Sequence, residues 1–118
     1  MTERTAEEVI EQYNEAFRRH DPALLDGLLA EACVIEDTGP APDGARHVGR
    51  EACLRRWAGL AGDPALRFTP EDVEIQGSLA VIQWLLRWGE GPQDFVRGVN
   101  LMRVRSGEIT EGRGYVKA

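Results

Sequence analysis

The chain has 118 residues, enough for one domain, spanning 1–118, that buries about two thirds of its unfolded surface without a metal or disulfide framework. A net charge of −6 argues against nucleic acid and anionic membranes as partners, since both select clustered Lys and Arg. The two cysteines, Cys33 and Cys53, show no CxxC or Cys/His spacing, so neither a zinc site nor a redox motif is indicated. Both read as buried apolar residues of a reducing compartment. The start, Met1 to Glu8, is polar and acidic, and no apolar run reaches membrane-spanning length, so the prediction is a cytoplasmic protein.

The first element is an amphipathic helix from about Thr5 to Arg19. Ala6, Val9, Ile10, Tyr13, Ala16 and Phe17 recur at three- and four-residue steps, and Thr5 with Glu8 forms a capping box. Asp21-Pro22 is the N-cap and first position of a second helix, with Leu24, Leu25, Leu28 and Leu29 as its apolar stripe. Cys33 to Asp37 reads as a short strand that runs into Gly39-Pro40, and a loop rich in Gly and Pro follows to Arg46. A third helix runs from about Arg50 to Ala61, with Cys53, Leu54, Trp57 and Leu60 on one side and Gly62-Asp63-Pro64 as its stop.

From there the hydrophobic period changes from helical to two. Strands are predicted over Arg67–Gly77, Ser78–Trp88, Gln93–Arg105 and Glu108–Lys117, with turns at Gly89-Glu90-Gly91-Pro92 and Ser106-Gly107. Three helices followed by a meander of long strands make an α+β domain. The helices are the only cover for one face of a curved, mainly antiparallel sheet, and such a sheet wrapped round helices leaves a cone whose mouth can hold a ligand.

Several residues could carry chemistry in that cone. Strand alternation puts Asp37 on one face with Cys33 and Ile35, an apolar setting suited to a proton-transferring carboxylate; Asp37 can equally cap the turn with Thr38 and Gly39. On the penultimate strand Val96, Gly98, Asn100, Met102 and Val104 share the inward face, and Asn100 is its one polar member. Its amide either donates to a ligand oxygen or satisfies a neighbouring backbone group. Tyr13 offers a hydroxyl from the apolar face of the first helix, with core packing as the plainer role. Trp57, Trp84 and Trp88 are ligand wall or core. Gly112, Gly114 and Val116 alternate on one face of the last strand, where the glycines leave space. His47 reads as a strand-edge or loop residue, and Arg55-Arg56 and Arg103/Arg105 as solvated faces.

The segments "TAEEVIEQYNEAFRRHDPALLDGLLAEACVIEDTGP", "HVGREACLRRW", "RGVNLMRVRSGEI" and "YVKA", in this order over the full length, resemble the NTF2-like superfamily in its SnoaL-like and ketosteroid-isomerase-like branch. The resemblance implies a cone-shaped fold, with Asp37 as general base, Tyr13 as oxyanion-hole donor and Asn100 at the second donor position, where the isomerase has a neutral Asp. It implies Trp57 in place of a Tyr that supports the hydrogen-bond network in some members. The Asp-Arg-Asp set of limonene-epoxide-hydrolase-like members is replaced by Gln83, Leu85 and Gly114, which excludes epoxide hydrolysis by that route.

The sequence therefore predicts a cofactor-independent, metal-free enzyme that abstracts a proton beside a carbonyl of a hydrophobic small-molecule substrate. The chemistry is ketosteroid-isomerase-like isomerisation or SnoaL-like cyclisation, and the pocket residues are Ile35, Trp57, Trp84, Trp88, Gly98, Met102, Gly112, Gly114 and Val116. The shape points to a flat, largely apolar substrate such as a steroid or polyketide ring system. The alternative is a non-catalytic ligand-binding or dimerisation module. A homodimer is predicted from Val99 and Leu101, an apolar pair among arginines on the outer sheet face.

Overall fold

The computed structural model describes residues 3–117. Helix α1 covers Ala6–Arg18. Its predicted capping box is present: Thr5 Oγ1 accepts from the Glu8 amide at 3.1 Å, and Glu8 Oε1 accepts from the Thr5 amide at 2.8 Å. Val9, Ile10, Tyr13, Ala16 and Phe17 form the buried face of α1, as their spacing requires.

The predicted second helix is only a 3-10 turn, Pro22–Leu25. Asp21 makes no side-chain cap there, and Gly27 takes a positive φ of 79°, which turns the chain out of helical geometry. Leu25 and Leu28 are still fully buried, so the apolar stripe was read correctly while the element carrying it was not.

Strand β1, Leu29–Glu36, begins four residues before the predicted Cys33. The loop after it folds back on itself: the Asp37 amide donates to Ala45 O at 2.9 Å and the Ala45 amide to Gly39 O at 3.0 Å. This return builds a three-residue strand β2, Arg46–Val48, where the sequence predicts loop as far as Arg46 and a strand-edge or loop position at His47. It places Val34, Ile35 and Glu36 opposite Val48, His47 and Arg46. Helix α2 is Arg50–Ala61, followed by β3 (Arg67–Gln76), β4 (Leu79–Arg87), β5 (Phe95–Arg105) and β6 (Glu108–Val116).

The six strands form one sheet in the order β2-β1-β6-β5-β4-β3. Every pairing is antiparallel except β1 with β6, which is parallel. Helices α1 and α2 cover one face. Between them and the sheet lies a single core that includes Ile10, Leu25, Leu28, Ile82, Met102 and Ile109. The sheet's other face carries no helix, and Val81, Leu85, Val99, Leu101 and Tyr115 alternate onto it by register. Among the described residues no helix is long and apolar enough to cross a membrane.

Candidate active site

Helices and sheet leave a cavity of about 190 Å³ between them. Its wall is mostly aromatic and aliphatic, and the aromatic rings touch in sequence around it. Tyr13 meets Phe17 at 4.8 Å between centroids and Trp57 edge-on at 5.0 Å. Phe17 meets Phe68 at 5.3 Å, and Phe68 meets Trp84 at 5.7 Å, both near perpendicular. Such edge-to-face pairs add to what burial alone contributes and hold each ring in one orientation.

Three polar side chains on this wall form a hydrogen-bonded chain. Trp84 Nε1 donates to Asn100 Oδ1 at 3.0 Å, and Asn100 Nδ2 donates to Tyr13 Oη at 3.2 Å. Indole N–H is a donor only, so it fixes which end of the Asn100 amide faces Tyr13. Tyr13 Oη accepts in this chain and keeps its own hydrogen for another acceptor. Burial pushes the Tyr13 phenol well above the usual tyrosine range, an effect only partly offset by the Asn100 hydrogen bond. Tyr13 is thus a neutral donor at any ordinary pH.

Asp37 follows the end of β1 and lines the same cavity, its side chain 12% exposed. It is not the apolar-sided acid that strand alternation suggested. Its Oδ2 lies 3.0 Å from Arg56 Nε and 2.9 Å from His47 Nε2, and neither contact uses Oδ1. Both partners were assigned minor roles from the sequence. His47 arrives because it pairs with Ile35 in the β1–β2 register, two residues from Asp37 on the same face. Arg56 was read as a solvated face, yet Cys53, Arg56, Trp57 and Leu60 share one helical stripe, and an arginine within an apolar stripe was the available signal.

The remaining predicted pocket residues divide. Ile35, Trp57, Trp84, Gly112 and Gly114 line the cavity together with Asp37, Tyr13 and Asn100. Trp88, Gly98, Met102 and Val116 do not. Trp88 falls one residue beyond β4, in the turn where its amide bonds Asp94 O, and is 48% exposed. Met102 is wholly buried beneath the cavity. Gly98 and Val116 pair with each other at the sheet's end, and Val116 is 43% exposed.

The glycines also differ from expectation, because their missing side chains are not empty space. A Cβ on Gly112 would fall 2.8 Å from Trp57 Cζ2, and one on Gly98 would fall 2.5 Å from Trp84 Cη2. At Gly114 it would meet the Thr38 methyl at 3.0 Å and Asn100 Oδ1 at 3.2 Å. Each glycine lets a neighbour close in. Among the described residues no three His, Cys, Asp or Glu side chains converge to hold a metal ion.

The sequence profile of the SnoaL-like domain matches residues 10–112. No functionally curated protein matches the chain. Among solved structures, an NTF2-like protein of unknown function from Mesorhizobium loti is 49% identical, with a TM-score of 0.90 over 96% of this chain and 91% of that one. IdmH, a candidate polyketide cyclase from Streptomyces antibioticus, is 26% identical with a TM-score of 0.72 over 97% and 93%. A candidate ketosteroid isomerase from Kribbella flavida, 18% identical, shares the fold with a TM-score of 0.78 over 96% and 78%. An α+β sheet wrapped round two helices, a profile match over most of the length and these neighbours agree: the chain belongs to the SnoaL-like domain family and has the NTF2-like fold.

Proposed function

We propose that the protein is a cofactor-independent enzyme that moves a proton next to a carbonyl group. The observation that carries this reading is the chain from Trp84 through Asn100 to Tyr13, which leaves the Tyr13 hydroxyl hydrogen free in an aromatic cavity that Asp37 also lines. A carbonyl oxygen that accepts from Tyr13 gains negative charge as the adjacent C–H is broken. A neutral, pre-aimed donor in a dry site stabilises that charge more than water does. Asn100 reinforces the donor from behind, since a hydroxyl that accepts a hydrogen bond donates a stronger one. Asp37 takes the proton on Oδ1, while Arg56 and His47 hold Oδ2 and fix the carboxylate plane. Return of the proton to another carbon gives isomerisation, and attack of the enolate on a second carbonyl gives cyclisation.

The decisive experiment needs no knowledge of the natural substrate. Small cyclic ketones in deuterated buffer are followed by NMR for loss of α-protons, with parent protein and Asp37→Asn. Exchange above the buffer rate that Asp37→Asn abolishes supports the assignment. Exchange unaffected by that substitution rules Asp37 out as the base.

A second reading, a ligand-binding module without turnover, is favoured by the saturation of Asp37 Oδ2 with two partners. It expects ligand binding with no exchange at all. In either reading a second copy of the chain covers the uncovered sheet face, where Val81 stands beside Leu101 and Val99 beside Tyr115.

A further inference from the structure

The cavity also limits what can enter, and the following inference rests on the proposed reading of Tyr13, Asn100 and Asp37. Two sheet glycines, Gly112 on the cavity wall and Gly98 outside it, are seats for the indoles of Trp57 and Trp84, at 2.8 and 2.5 Å from where a Cβ would stand. Both rings are nearly inaccessible, at 4% and 8% exposure, and both are held: Trp57 by its edge contact with Tyr13, Trp84 by its bond to Asn100 and its contact with Phe68. The space that remains is about 190 Å³. A cavity of about 150 Å³ takes one benzene ring, whereas drug-sized ligands occupy roughly 300–1,000 Å³. The exposed lining residues are Thr38 and Arg56, which put polar groups at the mouth, while Leu60, Phe68, Pro70 and Leu86 are half-buried along with Glu36 and Asp37.

We infer that the substrate is a compact carbonyl compound of one or two rings, or an acyclic one of equal bulk, and not a four-ring steroid or polyketide. Trp57 and Trp84 set this limit by filling the space that the sheet glycines would otherwise leave open. These two indoles reserve the cavity for small ligands.

Calorimetric titration with two size-graded series tests this. The phenols are 2-naphthol and estradiol, and the arenes without a hydroxyl are naphthalene and pyrene. Parent protein is expected to bind 2-naphthol at least tenfold more tightly than estradiol, and naphthalene more tightly than pyrene. Trp57→Phe, which keeps an aromatic ring in the core, is expected to shrink both ratios at least tenfold, and Trp57→Ala further still if it folds. Estradiol binding to the parent as tightly as 2-naphthol overturns the inference, as does an unchanged size ratio in folded Trp57→Phe. Phenols that bind no better than arenes, with the size limit intact, leave the inference standing and remove the Tyr13–Asn100 donor reading. Failure of every probe in both series to bind overturns both.

Discussion

Arg56 Nε stands 3.0 Å from Asp37 Oδ2, and the same oxygen receives His47 Nε2 at 2.9 Å. One carboxylate oxygen is thus held from helix α2 and from strand β2 at once, and neither contact takes up its twin. A carboxylate fixed at one oxygen cannot rotate away from a substrate carbon, and loss of such positioning by about 1 Å costs roughly a hundredfold in rate. Arg56→Met and His47→Gln are therefore expected to lower the α-proton exchange rate, with the double variant falling roughly a hundredfold. The effect belongs in kcat with KM little changed, because neither side chain is asked to bind substrate. Arg56→Lys should recover only part of the loss, since an ammonium lacks the planar guanidinium fork. Unchanged kcat in the double variant would reduce the cluster to a structural tie.

Tyr13→Phe removes the hydroxyl that the proposed reading gives to the substrate oxygen. Removal of an oxyanion donor typically costs roughly 10²–10³-fold in kcat, and that is the expected loss here. Asn100→Ala should cost less, because Tyr13 remains. Trp84→Phe should mimic Asn100→Ala, for without the indole donor the amide can turn its oxygen toward Tyr13. If the three side chains act as one chain, Asn100→Ala and Trp84→Phe combined will be clearly less than additive. Strict additivity would show that Trp84 does not act through Asn100.

Periodicity carried most of the fold into view, and the exceptions have physical causes. Leu25 and Leu28 are buried as their spacing demanded, but a stripe of leucines does not show that Gly27 turns the chain before a second helical turn can form. Strand β2 has only three residues, too few for an alternation signal, and with it His47 was lost from the site. Tyr13 and Asn100 could be placed on the cavity wall because each is a polar residue at an inward position of a patterned element, and Asp37 because the alternation of β1 carries one residue past Glu36. Trp88 was misplaced because alternation was carried one residue past the end of β4. Arg56 was misplaced because its charge outweighed its position in the helical stripe. Glycine is ambiguous in a way that no pattern resolves: Gly112 signals missing bulk, and only the fold shows that Trp57 fills it.

The fit of Trp57 over Gly112 should therefore resist the smallest possible enlargement. Gly112→Ala would put a methyl 2.8 Å from the indole and 3.2 Å from Met102 Sδ. Overpacking of this kind costs typically about 1–3 kcal/mol. Urea unfolding should show that loss, and 2-naphthol should bind at least tenfold more weakly as the displaced indole enters the cavity. Stability and affinity both equal to the parent's would mean that the ring is not tightly seated.

The uncovered sheet face predicts an oligomer. Val81 beside Leu101 and Val99 beside Tyr115 form an apolar strip, and Tyr115 is 50% exposed in the single chain. A two-fold contact would bury this strip against its own copy. Light scattering is expected to give twice the chain mass, and Leu101→Glu to give a monomer that keeps its fold. A parent protein that is monomeric at working concentrations refutes the contact.

High pH should weaken the fold through buried groups whose protons burial retains, Cys33, Cys53 and Tyr13. Burial, with the neighbouring Cys53 thiol adding to it, pushes the Cys33 thiol up to about 12, and burial likewise raises Tyr13. In the unfolded chain these groups lose their protons near about 8.5 and about 10, respectively. Above those values the unfolded state binds fewer protons than the folded one, so stability is complete below about pH 8.5 and falls as pH rises. The Cys33 share is spent by about pH 12, where the folded thiol also ionises. Urea midpoints should decline from about pH 9 upward, and Cys33→Ala should flatten the first part of that slope while Tyr13→Phe flattens the part above about pH 10. Native protein should also leave Cys33 unmodified by a thiol reagent at pH 8, because a buried neutral thiol supplies neither access nor thiolate. Rapid labelling of Cys33 under native conditions would show that β1 opens, and the alkaline slope would then belong to other groups.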